Sequence, residues 1–300
     1  MSTSTTRLSQ PLKGVRVLTL ALNLPGPAAV MRLQAMGATC TKLEPATASG
    51  ASSDPMAIYK PDAYQVMHDG MKVLQADLKS PAGQATLHQA LAKTDVLITS
   101  FRPSALKKLG LDWKTLHKRY PALCMVSIVG ASGERAEEPG HDLTYLAENN
   151  LVNGLDLPPT LYADMGGSLL TTEALLKALL LRQTGNKAKG VFQEIALSDA
   201  AAYLALPRTW GLTTPKGDVG GAHAGYRVYP CKNGRVAVAA LEPHFAASLC
   251  EAAGLAASAA HDMRQAKTHR AIADFLLTQT RQQLNKLALQ QDIPLHTLAT

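Results

Sequence analysis

Little in this sequence would hold a metal or a disulfide framework. Its four cysteines, Cys40, Cys124, Cys231 and Cys250, are widely separated and form no CxxC pair, which argues against a zinc site and fits a reducing, cytoplasmic setting. Long apolar runs are missing as well. The richest, Leu175 to Leu181, is short and interrupted by Lys177, so a buried helix is expected there rather than a membrane span. The opening residues, MSTSTTRLSQ, hold no apolar signal core and read as a loose leader that directs no export. Basic residues cluster only modestly, at Lys107-Lys108 and from Lys114 to Arg119, without interleaved aromatics, so no nucleic-acid footprint is present.

What the chain does have is apolar residues. A hydrophobic fraction of 46% with 18% charged residues excludes a disordered chain, and 300 residues suffice for a large core. The formal charge of +7 suits an anionic small-molecule ligand. Val15 to Leu20 reads as a strand, LPGP as a turn, Ala28 to Met36 as a helix stopped by Gly37, and Thr39 to Leu43 as a second strand. This β-α-β start predicts a parallel sheet with helices on its faces. Its first turn lacks the G-x-G-x-x-G fingerprint, which counts against dinucleotide binding.

Further strands are expected at Val73–Leu78, Asp95–Thr99, Cys124–Val129 and Val191–Leu197. Between them lie a loop at Ser49–Ala57, a helix at Pro81–Lys93 capped by Ser80, and two short helices broken at Gly110. A helix from Gly167 to Arg182, apolar around its circumference, is expected to be central and to end at Thr184-Gly185, and Ser198 is expected to cap the next one. The loop TTPKGDVGGAHAG marks a boundary. Beyond it, Asn233-Gly234 signals a hairpin with a type I′ turn, followed by a helix after Glu242-Pro243 and one from Thr268 to Leu289. The predicted fold is α/β: a Rossmann-like large domain (1–205), a linker (206–225) and a smaller α+β domain (226–300).

One stretch gathers chemistry. From Pro139 to Gly167, PGHDLTYLAENNLVNGLDLPPTLYADMGG sets an imidazole, His141, and a carboxylate, Asp164, in a Gly-rich setting read as lying just before a helix start. There, backbone N–H groups around Asp164 to Gly166 would face an anion or a developing oxyanion. Asp142 reads as a cap for the helix after it, and Tyr145 as packing.

Taken in order, the motifs resemble a known family. PLKGVRVLTLALNLPGP, MGATCTKLEP, ADLKSPAG and DVLITSFRPSALKKLGLDW are similar to the nucleotide-binding half of the class III CoA-transferases and α-methylacyl-CoA racemases, the CaiB/BaiF type. PGHDLTYLA, LYADMGG and YRVYPCKNGRVAVAALEPHF are similar to the racemase branch in particular. The resemblance covers nearly the whole chain and implies a Rossmann-like large domain with a smaller α+β domain, in an interlocked homodimer. It implies an acyl-CoA substrate, so that coenzyme A enters with the substrate and no cofactor or metal is tightly bound. Arg102, Ala105 and Lys108 are implied as CoA contacts. His141 and Asp164 are implied to flank the α-carbon and exchange protons with its two faces, or, in the transferase branch, Asp164 is the nucleophile. Glu242 is implied as the glutamate that a partner's small domain brings toward the histidine.

The sequence departs from the family pattern in three places. Pro45 replaces a basic residue, His141 and Asp164 lie closer together in sequence than in racemase relatives, and the family's C-terminal return segment is expected to be missing after Thr300. The leading expectation is a 2-methylacyl-CoA racemase or epimerase. The alternatives are a class III CoA-transferase using Asp164, or a non-catalytic CoA-binding relative.

Overall fold

The apolar runs of the first half become strands of one parallel sheet. The computed structural model describes residues 10–184 and 189–299, and the chain forms two units, 1–205 and 206–300. The leader before Gln10 and the helix stop at Gly185 lie outside the described residues. Among those residues, the first unit holds β1 (Arg16–Thr19), β2 (Thr39–Pro45), β3 (Lys72–Ala76), β4 (Val96–Thr99), β5 (Cys124–Val129) and β6 (Phe192–Ala196). Their order is β3-β2-β1-β4-β5-β6 and every neighbouring pair is parallel. Every residue of β4 and β5 is buried, as strands covered on both faces require. Side chains alternate between two cores: Val17, Val96 and Val126 meet Leu33 and Leu175 on one face, while Leu18, Leu97 and Met125 meet Leu87 and Leu116 on the other.

The crossovers carry α1 (Pro25–Ala35), α2 (Pro55–Tyr59), α3 (Pro61–Met67), α4 (Pro81–Leu91), α5 (Pro103–Lys108), α6 (Trp113–Arg119), α7 (Asp142–Glu148) and α8 (Tyr162–Thr184), and α9 (Leu197–Leu204) follows β6. Proline opens each of α1 to α5, where its fixed φ suits the first turn and its missing N–H costs nothing. At α1 this also removes two N–H groups, at Pro25 and Pro27, that a pyrophosphate would need. The sheet order reverses between β1 and β4, so the crevice above their carboxyl ends is the expected ligand site of this topology.

Several expectations are corrected in the first unit. The stretch read as a loop at Ser49–Ala57 runs into α2, whose first turn is capped by Asp54 accepting the Met56 N–H at 2.9 Å. Ser198 does not cap α9; the N-cap is Ala196, and the Ser198 N–H donates to the Gly130 carbonyl at 2.9 Å. Helix α8 begins at Tyr162, so Asp164 lies inside its first turn rather than before it. The glycine pair, read as belonging to a helix start, is helical at both positions and makes room for α9. A Cβ on Gly167 would fall 2.3 Å from Leu197 Cδ2, and one on Gly166 would fall 3.1 Å from Leu204 Cδ1. Nor is α8 buried all round: Leu175, Ala178 and Leu179 face the core, while Leu169, Leu180 and Leu181 are exposed.

The second unit adds α10 (Leu206–Thr209), β7 (Tyr226–Cys231), β8 (Gly234–Ala239), α11 (Pro243–Ala252), α12 (Ala266–Thr278), α13 (Arg281–Gln291) and β9 (Leu295–Leu298), the strands forming an antiparallel sheet β7-β8-β9. The hairpin is present, but not through a type I′ turn. Cys231 pairs with Gly234, so Lys232 and Asn233 are the central residues, and neither has positive φ. Asn233 instead accepts the Arg281 N–H at 2.8 Å, and Gly234 is required because a Cβ would meet the Leu298 carbonyl at 2.3 Å. The long terminal helix is two helices. Thr280 and Gln283 exchange side-chain-to-backbone hydrogen bonds of 3.2 and 2.8 Å, a capping box that restarts the chain as α13.

Candidate active site

The carboxyl ends of β1, β4 and β5 open into a cavity of about 160 Å³. Leu22 and Asn23 follow β1, Ser100 and Arg102 follow β4, and Gly130 follows β5; all five line it. The Leu22 N–H donates to Ser100 Oγ at 3.2 Å, tying the first two ends together. The cavity is closed from α7 and α8 by His141, Tyr145 and Asp164. The structure therefore brings His141, Asp164 and Arg102 to one place, at the crevice where the strand order reverses.

His141 is the N-cap residue of α7. Thr144 fixes its backbone, accepting the His141 N–H at 3.1 Å and donating to its carbonyl at 2.7 Å. The His141 side chain faces the Thr144 N–H as the other half of a capping box, and it lines the cavity where a substrate would sit. Asp164 enters the cavity from α8. Its carboxylate has no hydrogen-bond partner among the described residues, and burial, aided by the nearby charge of Asp142, pushes its pKa up to about 7. Desolvation disfavours the charged form, and a second carboxylate adds to the effect.

Asp142, read from the sequence as a cap, is a buried strut between helices. Its Oδ1 accepts the Asp164 N–H at 2.9 Å. The Met165 N–H goes to the Leu161 carbonyl at 3.0 Å, and Gly166, as a helical residue, turns its N–H back along α8. The expectation that N–H groups of Asp164 to Gly166 form an oxyanion hole is thereby overturned: the helix and Asp142 have used them.

The other expected contacts are placed more loosely. Ala105 is half-buried on α5, and Lys108 is exposed in its last turn. Beside them, Glu137 takes the Ser104 N–H at 2.7 Å and its hydroxyl at 2.8 Å. Those bonds, with Arg102 and Lys108 nearby, hold its carboxyl below the usual range. Glu242 lies in the second unit, exposed at the N-cap of α11.

A separate cluster is sealed beneath α2 and α3. Glu44, Asp54 and His68 are buried within reach of one another, a donor set that would suit a metal ion. The Lys42 ammonium already stands among them, 3.0 Å from Glu44 Oε1, 2.8 Å from His68 Nε2 and paired with Asp54.

Against this geometry, residues 12–300 match the family model of CoA-transferase family III. The chain belongs to that family. It is 30% identical over 262 residues to the α-methylacyl-CoA racemase of Mus musculus, covering 81% of this chain and 65% of that one. It is also 30% identical over 215 residues to the succinyl-CoA–D-citramalate CoA-transferase of Chloroflexus aurantiacus, covering 67% of this chain and 52% of that one. The chain thus spans just over half to about two thirds of the length of these relatives. The fold matches the crystal structure of a hypothetical protein from Mycobacterium tuberculosis with a TM-score of 0.81 at 21% identity, over 97% of this chain and 86% of that one. Membership of CoA-transferase family III agrees with the order of motifs. The relatives include both racemase and transferase, so likeness alone does not choose the reaction.

Proposed function

We propose that the protein acts on acyl-CoA thioesters as a 2-methylacyl-CoA racemase or epimerase. The observation that carries this is a carboxyl group raised to about 7 lining the same cavity as an imidazole. Inversion at the α-carbon needs one group that accepts a proton and another that gives one back at similar cost. A carboxyl near 7 is about half protonated at neutral pH, so it can both take and return a proton there. A nucleophilic carboxylate would be more reactive when ionised at a raised pKa but only about half ionised at neutral pH, so the imidazole in the same cavity is what favours racemisation.

In the proposed cycle one of His141 and Asp164 takes the α-proton, leaving the electron pair shared between carbon and the thioester oxygen. The other, protonated at the start, delivers its proton to the opposite face. The pair ends with its protonation reversed, and solvent exchange or reverse turnover resets it. Coenzyme A arrives with the substrate, its phosphates drawn to Arg102 and Lys108 and its adenine packed near Ala105. Glu242 is assigned the task of orienting His141 in an assembled homodimer. The family also contains transferases, and in that alternative Asp164 alone would carry the chemistry.

Incubation with a 2-methylacyl-CoA in deuterium oxide, with and without an acceptor acid, tests the reading. Deuterium is expected at the α-carbon, and inversion is expected to vanish in both His141→Ala and Asp164→Ala, each variant keeping at most exchange on the face served by the remaining group. Acceptor-dependent CoA exchange that survives His141→Ala but not Asp164→Ala would replace racemisation by transfer. CoA binding with neither reaction would leave a binding protein.

A further inference from the structure

Removing the α-proton of a thioester places negative charge on the thioester oxygen, and a site that does this needs a donor aimed at that oxygen. The first-turn N–H groups of α8 are spent, as described above. The cavity lining carries donors on Asn23, Ser100 and Arg102 at the strand ends, and on Tyr145 from α7 beside His141. Tyr145 is only 7% exposed and lines the cavity together with His141 and Asp164. Its ring packs with Leu146, Ala163 and Ala201, yet its hydroxyl forms no hydrogen bond among the described residues. The residue is buried, but its hydroxyl oxygen is not sealed in and stays open to the cavity, where a ligand can accept its hydrogen bond.

Two glycines keep the space around this hydroxyl clear. A Cβ on Gly130 would lie 2.3 Å from the Tyr145 hydroxyl oxygen, and one on Gly140 would lie 2.6 Å from it. Neither glycine has positive φ, so backbone conformation does not demand them. Both line the cavity, at the end of β5 and just before His141. The hydroxyl also stays a donor: burial, with the charge of Asp164 nearby, raises its pKa.

We propose that the Tyr145 hydroxyl donates the hydrogen bond that holds the thioester oxygen and stabilises the enolate formed between His141 and Asp164. This rests on the acyl-CoA reading above and adds to it the group that receives the charge. Tyr145→Phe removes the oxygen alone and keeps the ring, so the melting temperature is expected to hold.

The test uses a 2-methylacyl-CoA carrying ¹³C at the thioester carbonyl. α-Deuterium exchange and the infrared carbonyl stretch of the bound thioester are measured on the wild-type protein and on Tyr145→Phe. Loss of one oxyanion donor is expected to lower the exchange kcat roughly a hundredfold with little change in KM. The carbonyl stretch, lowered on binding to the wild type, is expected to return toward its solution value in the variant. If both quantities match the wild type, the hydroxyl assignment is wrong and the racemase reading stands. If the wild type exchanges no deuterium but its bound carbonyl stretch still depends on Tyr145, the racemase reading fails and the hydroxyl assignment stands. A wild type that binds no thioester overturns both. Gly130→Ala, whose methyl meets the hydroxyl, is expected to reproduce the spectral change; an unshifted stretch in that variant would count against the assignment.

Discussion

Asp164 shows how a single side chain carries function at a cost in stability. Its pKa stands near 7 in the folded chain against 3.8 for an ordinary aspartate, raised by burial and by Asp142. The folded state therefore holds this proton more tightly than the unfolded state. The resulting stabilisation is full below about pH 4, shrinks as the pH rises, and is gone above about pH 7. Asp164→Asn, which never ionises, lacks this dependence. Its advantage over the wild type in urea unfolding is expected to grow by on the order of 2 kcal/mol between pH 5 and pH 8, alongside loss of activity. A difference that stays constant with pH would show that the carboxyl is not perturbed. The sequence made Asp164 and His141 visible because a carboxylate and an imidazole stand out in a glycine-rich stretch. It did not reveal that Asp142 braces α8 or that Tyr145 leaves a hydroxyl in the cavity. Both depend on helices that meet only in three dimensions, and an aspartate after a histidine reads equally well as a cap.

Among the elements, β2 and the α2–α3 segment are joined by buried charge rather than by a large apolar face. Lys42, Glu44 and Asp54 have no exposed surface. Burial alone would raise Glu44, yet hydrogen bonds from Ser52, Tyr64 and Lys42 outweigh it and hold the carboxyl below its ordinary value. Asp54 spends its other oxygen on the Met56 N–H and on the Asn23 N–H at 3.0 Å, and Asn23 sits at φ 64 on the cavity wall. Lys42→Met would leave two buried carboxylates facing each other without a cation. A loss of about 3–5 kcal/mol in urea unfolding is expected, together with weaker acyl-CoA binding as the Asn23 loop loosens. A variant as stable as the wild type would mean that the carboxylates take up protons or water at little cost. The strands of the parallel sheet were legible because an apolar β-branched run needs no partner to be recognised, whereas β9, a short half-exposed edge strand, was not. Helices α2 and α3 were not, since the polar residues around them look like a loop until Lys42 gathers them. The single helix expected after Thr268 was divided by Thr280 and Gln283, a local capping signal that the apolar periodicity hid.

At the scale of the whole molecule, an apolar α8 was read as a sign of burial, but the chain buries only one side of it. Leu169 (51% exposed), Leu180 (60%) and, on α9, Tyr203 (69%) remain open, and a groove of about 480 Å³ runs between Leu169, Ala200, Tyr203 and Leu204. Exposed apolar surface of this kind marks an interaction face, and the family resemblance implies a second copy as its occupant. We expect the protein to be a homodimer at micromolar concentration by sedimentation equilibrium. Leu169→Asp and Leu180→Asp should each weaken association roughly tenfold to a hundredfold, since each removes about 1.5–3 kcal/mol of burial. Neither side chain packs in the core, so the far-UV spectrum should not change. A monomeric wild type, or variants that associate as tightly as the wild type, would assign this face to something other than a second copy. Under the proposed function, the same variants carry a second readout. If Glu242 reaches His141 only in the dimer, dilution below the dissociation constant should lower α-deuterium exchange in step with the fraction dimeric.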